Sequence, residues 1–392
     1  MKDKIRIRTY NVRFGDAILV TIPDRNPETS KTTLRNILID VGNALNGPGG
    51  DDNVFKFVID DVLKELNGKP LDLYVMTHEH LDHVQGLYYT AAKHYPYLKE
   101  KLAVDYAWLT ASAHPDYYTN HPNAKGKKDL YSDCYQKIQN HLNAFAQADS
   151  DAFKTFLDIN NPRQTDQCVD FLRNLANPEK TFYVYRGLSL SKKHPFKEPR
   201  FEILAPEEDT SDYYHPLTPM ALSGNGNIQL GVNSANSYQP PAGVDAGAFY
   251  DLVEWRKNGF VDNILAIDRA ANNTSVVFSI EWRKKRLLFC GDAELASWKK
   301  MHQQGLLKSV DYLKVSHHGS HNGTPNDEIL EYFFPKTRSK TKSRHAGISV
   351  WDNTYKGIPH EATNDRLCKR CNLRSTLDNR NSSYFDIEIS EG

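Results

Sequence analysis

The chain has 392 residues and balances 49 lysines and arginines against 49 aspartates and glutamates, for a formal net charge of zero. That length can bury a sizeable core as one large α/β domain or two, and the charge balance excludes an overall field that would draw the protein to nucleic acid or anionic lipid. Apolar runs such as Ala17-Ile18-Leu19-Val20 and Leu287-Leu288-Phe289-Cys290 are far too short to span a bilayer, so no membrane partner is expected.

Met1 to Arg8 alternates charge with apolar residues and lacks the apolar block of a signal peptide. Together with five cysteines, an odd number, this predicts a cytoplasmic protein without a disulfide framework. Strands are predicted at Ile5 to Tyr10, Ala17 to Ile22 and Arg35 to Val41, joined by turns at Gly15-Asp16 and Asp24 to Pro27, so the sheet starts antiparallel. Asn53 to Leu66 has helical spacing and is closed by Asn67-Gly68. Leu71 to Thr77 reads as a buried strand, and directly after it stands His78-Glu79-His80-Leu81-Asp82-His83. His78 and His80, two apart at a strand end, can grip one cation, while Asp82 and His83, in the following turn, point toward a second position. Imidazoles and a carboxylate suit zinc, manganese or iron.

Val104 to Thr110 is a further strand, followed by a polar, helical stretch over about 129–177. Strands resume at Thr181 to Arg186 and Arg200 to Leu204. From about Pro216 to Pro241 the chain is rich in Gly, Asn, Ser and Pro, which predicts a long loop or lid. Thr274 to Glu281 and Lys285 to Cys290 form a hairpin that runs into Gly291-Asp292-Ala293-Glu294. A helix over 293–303 and a strand from Val310 to Ser316 then deliver His317-His318-Gly319-Ser320. Cys368-x-x-Cys371 has no second pair nearby, and Arg366, Lys369, Arg370 and Arg374 around it read as a solvated helix surface rather than a zinc site. One pattern recurs: an apolar strand ends abruptly in ligand-type residues at Asp40-Val41-Gly42, at His78 to His83, at Asp292 and at His317. A dinuclear site must be assembled from such converging strand tips.

His-x-His-x-Asp-His is the signature of the metallo-β-lactamase-fold hydrolase superfamily, which this chain resembles. More narrowly it resembles the hydrolase domain of bacterial DNA-uptake (competence) proteins of the ComEC type and their free-standing soluble relatives. Phe14 to Val20, Ile37 to Gly42, Asn272 to Phe278, Leu288 to Glu294, Leu313 to Ser320, Gly347 to Val350 and Asn353 to Pro359 carry that likeness. The resemblance implies an α/β fold, an αββα four-layer sandwich. It would form a single domain over 1–392, with a helical insertion at about 120–180 and a loop or lid insertion at about 216–262.

It also implies two divalent metal ions, zinc or manganese. His78 and His80 would ligate the first, Asp82 and His83 the second, Asp292 would bridge them, and His317 would complete the second site. Asp40 would orient the metal-binding loop without touching metal. His114 is the natural candidate for the third ligand of the first ion, with His121 and His215 as weaker alternatives. His318 stands beside the site as a donor to substrate, and Asp82 or Asp292 would accept a proton. Metals about 3.5–4 Å apart would make a hydroxide nucleophile available near neutral pH.

These features predict a metal-dependent hydrolase. For a nuclease or other phosphodiesterase acting on nucleic acid speak the basic runs Arg283 to Arg286 and Lys336 to Arg344. The aromatics Tyr117-Tyr118, Tyr213-Tyr214 and Trp351 are candidates to stack on bases. The alternatives are a hydrolase of a small substrate (cyclic nucleotide, lactone or thioester) and a non-catalytic, metal-bound subunit that binds a protein partner through its insertions.

Overall fold

Alternation sets the first strand. In Lys4–Tyr10 (β1), Arg6 and Arg8 pair with Glu65 at 2.6 Å and Asp61 at 2.7 Å, while Ile5 and Ile7 are buried on the opposite face. Ala17–Arg25 (β2) and Thr32–Val41 (β3) follow antiparallel. Leu71–Met76 (β4), Val104–Thr110 (β5) and Thr181–Val184 (β6) extend the sheet in parallel, and Tyr384–Ser390 (β13) pairs antiparallel with β1. The result is a seven-stranded sheet in the order β13-β1-β2-β3-β4-β5-β6. Arg200–Ala205 (β7), Val277–Trp282 (β8), Lys285–Phe289 (β9), Tyr312–Lys314 (β10), His345–Ile348 (β11) and Asn372–Ser375 (β12) form a second, six-stranded sheet in the order β12-β11-β10-β9-β8-β7. The computed structural model describes residues 3–45, 50–144, 155, 157–217, 260–336, 343–351, 357–378 and 380–391. Most of the expected lid (218–259), residues 145–154 and 156 of the helical insertion, residues 337–342 of the second basic run, and 352–356 lie outside the described residues.

Both faces of each sheet are covered, which is why β2 and β4 read as continuous apolar runs. Ile7, Val20, Ile37, Val75 and Trp108 of the first sheet meet Phe278, Ile280, Trp282 and Phe289 of the second in a shared core. On the outer face of the first sheet, Leu19, Leu38, Tyr74 and Leu109 pack against Asn53–Leu66 (α1), Leu81–Lys93 (α2) and Pro162–Arg173 (α4). On the outer face of the second, Leu288, Leu313 and Ile348 pack against Leu295–Gln303 (α6), Asp327–Phe333 (α7) and Glu361–Cys368 (α8). The layers therefore run helix, sheet, sheet, helix. Pro122–Ala144 (α3) meets Phe260–Asn273 (α5) in a small separate core through Cys134, Tyr135, Ile138 and Ile264.

Several expectations change. Asp82 and His83 lie not in a turn but in the first turn of α2, where the His83 and Val84 amides donate to the His80 carbonyl. Residues 260–262, expected within the loop, open α5, whose last turn displaces the start of the expected strand from Thr274 to Val277. Arg370, expected on a solvated surface, is fully buried, its two terminal nitrogens donating to Asp327, Glu331 and the Phe334 carbonyl. All five cysteines are free, and no helix among the described residues is long and apolar enough to cross a membrane.

Candidate metal centre

Tips of both sheets meet at one edge. At the end of β3, Asp40 accepts the Thr77 amide at 2.8 Å and the Thr77 hydroxyl at 2.6 Å, tying β3 to β4. Its Oδ2 also lies 2.9 Å from His83 Nδ1, which turns His83 Nε2 toward Asp292 Oδ2 at 3.3 Å. Asp40 thus holds the His83 imidazole by the nitrogen that faces away from the cluster. Burial pushes its pKa up, against the opposing pull of His83 and Thr77.

Asp292 follows β9 and is held from both sides. Its Oδ1 accepts from the Lys314 ammonium at 3.3 Å, while Oδ2 faces His83 and His318, each at 3.3 Å. Lys314, buried at the end of β10, also bonds the Gly291 carbonyl at 3.0 Å and pairs with Asp16. Burial works against its charge, but Asp16 and Asp292 outweigh it and raise its pKa. Asp82 Oδ2 lies 3.3 Å from His318 Nε2, and the Ser349 carbonyl lies 2.8 Å from His318 Nδ1, so His318 also turns Nε2 inward. Ligand atoms of Asp82, His83, Asp292 and His318 all lie within 4.8 Å of one another, and all four residues are buried. Asp82 Oδ1 has no hydrogen-bond partner, and His83 Nε2 and His318 Nε2 face only the carboxylates of the cluster. Two buried carboxylates and two inward-turned imidazole nitrogens converging in this way fit a divalent cation.

The backbone is shaped for this convergence. Asp40, His317 and His318 have φ of 50°, 49° and 50°, a left-handed conformation that costs a non-glycine residue about 1–2 kcal/mol and is retained at functional sites. At Gly42 a Cβ would lie 2.1 Å from the Asp82 carbonyl carbon, so the loop after β3 can touch the start of α2 only as glycine.

The two adjacent histidines part company. His318, expected beside the site, joins Asp82, His83 and Asp292, whereas His317, expected to complete that set, lies with Asp268 and Glu294. Their ring centroids lie 6.4 Å apart. His78 and His80 adjoin the centre: His78 Nε2 lies 3.1 Å from His80 Nδ1, and the His78 and His83 rings lie 4.2 Å apart. Burial, reinforced by His83 and His80, pushes the His78 pKa well down and keeps its ring neutral. His114 is not brought to the cluster. It packs edge-on against Tyr183, and its Nδ1 accepts the Asp116 amide at 3.0 Å. His121 stacks on Tyr117, and the His215 carbonyl accepts from Tyr131.

Asp16, Asp268, Glu294 and Lys314 were missed as site residues. The Gly-Asp of Gly15-Asp16 and the spacing of Ile264, Ile267, Asp268 and Ala271 on one helix face were the available signals. A cavity of about 100 Å³ opens beside His80, lined by Glu79, Ser112, Tyr118, Lys128 and Tyr214 among others. Lys128 Nζ stands 3.6 Å from Glu79 and over the Tyr118 ring.

Several of the features that suggested nucleic acid are engaged within the fold among the described residues, outside which Arg338, Lys340 and Lys342 lie. Arg283 pairs with Glu198 and Glu391, Arg286 with Glu281, and Lys285 with Asp311. Lys336 pairs with Asp327, and Arg344 is buried, bonding the Pro335 carbonyl. Tyr117 and Tyr213 are buried, and Trp351 lies under the Arg13 guanidinium. In comparisons with known proteins, no family model and no curated protein matches this chain.

Proposed function

We propose that the protein is a metal-dependent hydrolase of the metallo-β-lactamase type, acting on a compact substrate, a small phosphodiester such as a cyclic nucleotide being the best fit. Asp82, His83, Asp292 and His318 hold a divalent cation, zinc or manganese. The observation that carries the reading is the buried convergence of Asp82, Asp292, His83 Nε2 and His318 Nε2, whose ligand atoms lie within 4.8 Å of one another while Asp82 Oδ1 takes no hydrogen bond. The helix, sheet, sheet, helix layering supports an αββα sandwich of that type, with the site at the shared sheet edge.

A cation at this place supplies Lewis acidity, polarising the scissile group and bringing water toward ionisation near neutral pH. The chain's own residues do the rest. Lys314 fixes Asp292 from behind, so Oδ2 stays turned to the centre. Asp82 Oδ1, which takes no hydrogen bond, is left free to hold the cation. In the neighbouring cavity the Lys128 ammonium stands between the carboxylates of Glu79 and Asp166, beside the hydroxyls of Ser112, Tyr118 and Tyr214, a lining that offers no track of free cations to a long polyanion. The ion-paired state of Arg283, Lys285 and Arg286 supports the same choice. Five free thiols fit a reducing, cytoplasmic setting.

The test is to incubate zinc- or manganese-loaded protein with a cyclic-nucleotide panel, single- and double-stranded DNA, and RNA. Turnover of a small phosphodiester is expected, lost in Asp292→Ala with circular dichroism unchanged. Turnover of DNA or RNA alone would overturn the compact-substrate reading, and full activity of Asp292→Ala would overturn the metal assignment.

A further inference from the structure

A second group of ligand-type side chains stands next to this centre. Asp268 on α5, Glu294 just before α6 and His317 after β10 bring one ligand atom each within 4.8 Å of one another. Glu294 Oε1 lies 3.3 Å from His317 Nδ1. His80 faces them from the first sheet: its Nε2 lies 3.9 Å from Asp268 Oδ1, its side chain is buried, and that nitrogen has no hydrogen-bond partner. The contact between His78 Nε2 and His80 Nδ1 occupies the other ring nitrogen and fixes Nε2 toward the carboxylates.

Charge makes the group conspicuous. Asp268 and Glu294 are 6% and 4% exposed. Amides serve them: Asn160 donates to Asp268 at 3.2 Å, and Asn272 to Asp268 at 3.0 Å and to Glu294 at 2.9 Å. Among the described residues neither carboxylate has a lysine or arginine within ion-pair distance, whereas Asp16 and Asp292 of the neighbouring centre share Lys314. Two adjacent buried carboxylates without a cation are costly, and a bound cation removes that cost. Two carboxylate oxygens and two imidazole nitrogens suit zinc, manganese or iron(II).

We propose that Asp268, Glu294, His317 and His80 Nε2 form a second divalent-cation site, so that His317 and His318, neighbours in the chain, serve different ions. The site takes a carboxylate from α5 where a further histidine was expected. It rests on the metal-centre reading above, to which His78 joins it, with its ring 4.2 Å from that of His83.

Full-length protein stripped with a chelator, reloaded with Mn²⁺ or Zn²⁺ alone and desalted gives the ions per chain by elemental analysis. Two ions are expected in the native protein, and one in Asp268→Asn, in Glu294→Gln and in Asp82→Asn. Two ions retained by both Asp268→Asn and Glu294→Gln would overturn the second site and leave the centre standing. So would a single ion in the native protein that Asp82→Asn removes and Asp268→Asn keeps. No ion in the native protein would overturn both. Should the variants fail to fold, anomalous diffraction from Mn²⁺-soaked native crystals decides: a peak among Asp268, Glu294 and His317 is expected, and a peak only among Asp82, His83 and His318 overturns the second site.

Discussion

Asp40 leaves β3 in a left-handed conformation and satisfies the Thr77 amide, the Thr77 hydroxyl and His83 Nδ1 at once. Asp40→Ala leaves buried donors unpaired, each costing about 1–3 kcal/mol, so a loss of about 2–5 kcal/mol is expected in urea unfolding. Metal affinity should fall about 10–100-fold, because His83 loses the partner that fixes its ring. Native affinity in the variant would show that His83 is oriented by something else. At this scale the sequence was most readable where ligand types cluster within a few residues, as in His78 to His83. It was least readable where a single residue gains its role from a distant partner. Nothing local marks Lys314 as the counter-charge of Asp16, 298 positions earlier, or sets Asp268 opposite His80.

Elements deliver these residues by close backbone approach. The loop after β3 touches the start of α2 at Gly42, where an added Cβ would lie 2.1 Å from the Asp82 carbonyl carbon and 2.2 Å from the His83 amide. Backbone cannot yield as a side-chain tip can, so Gly42→Ala should cost about 2 kcal/mol or more and lower metal occupancy by displacing Asp82 and His83 together. Gly68→Ala is the control. Its φ of +77° makes alanine cost about 1 kcal/mol, but nothing lies within 4 Å, and metal content should be unchanged. Equal metal loss in both variants would refute the packing argument. Strands were legible from apolar runs, since burial on both faces leaves few polar positions. The start of α2 was not, because its first turn is built from ligands rather than from an amphipathic repeat, and α5 was hidden behind the Gly- and Asn-rich stretch before it.

At the scale of the whole molecule, the cluster draws Asp40 from β3, His78 from the end of β4 and His83 from α2 on one side and Asp292 and His318 from beyond β9 and β10 on the other, so a metal bound there would join the two halves. The two β-rich halves were visible in the sequence. The pairing of β1 with β13 was not, because register across almost the entire chain leaves no local trace. Metal binding to the folded state alone adds about 4 kcal/mol of stability at a free-ion concentration a thousand times the Kd, so chelation should lower the melting temperature.

That effect should depend on pH. Burial opposes the charged form of His318, but Asp292 and Asp82 outweigh it and push its pKa up to about 10 without metal. Between the ordinary histidine value of about 6.5 and 10, the metal-free fold therefore holds a proton that the unfolded chain has lost, and its stability falls as pH rises. Metal needs the neutral ring, so binding expels that proton and affinity rises by up to about tenfold per pH unit. The gap in melting temperature between metal-loaded and chelated protein should widen from pH 6.5 to 9. A gap constant across that range would mean that no imidazole proton is displaced, and would remove His318 from the ligand set.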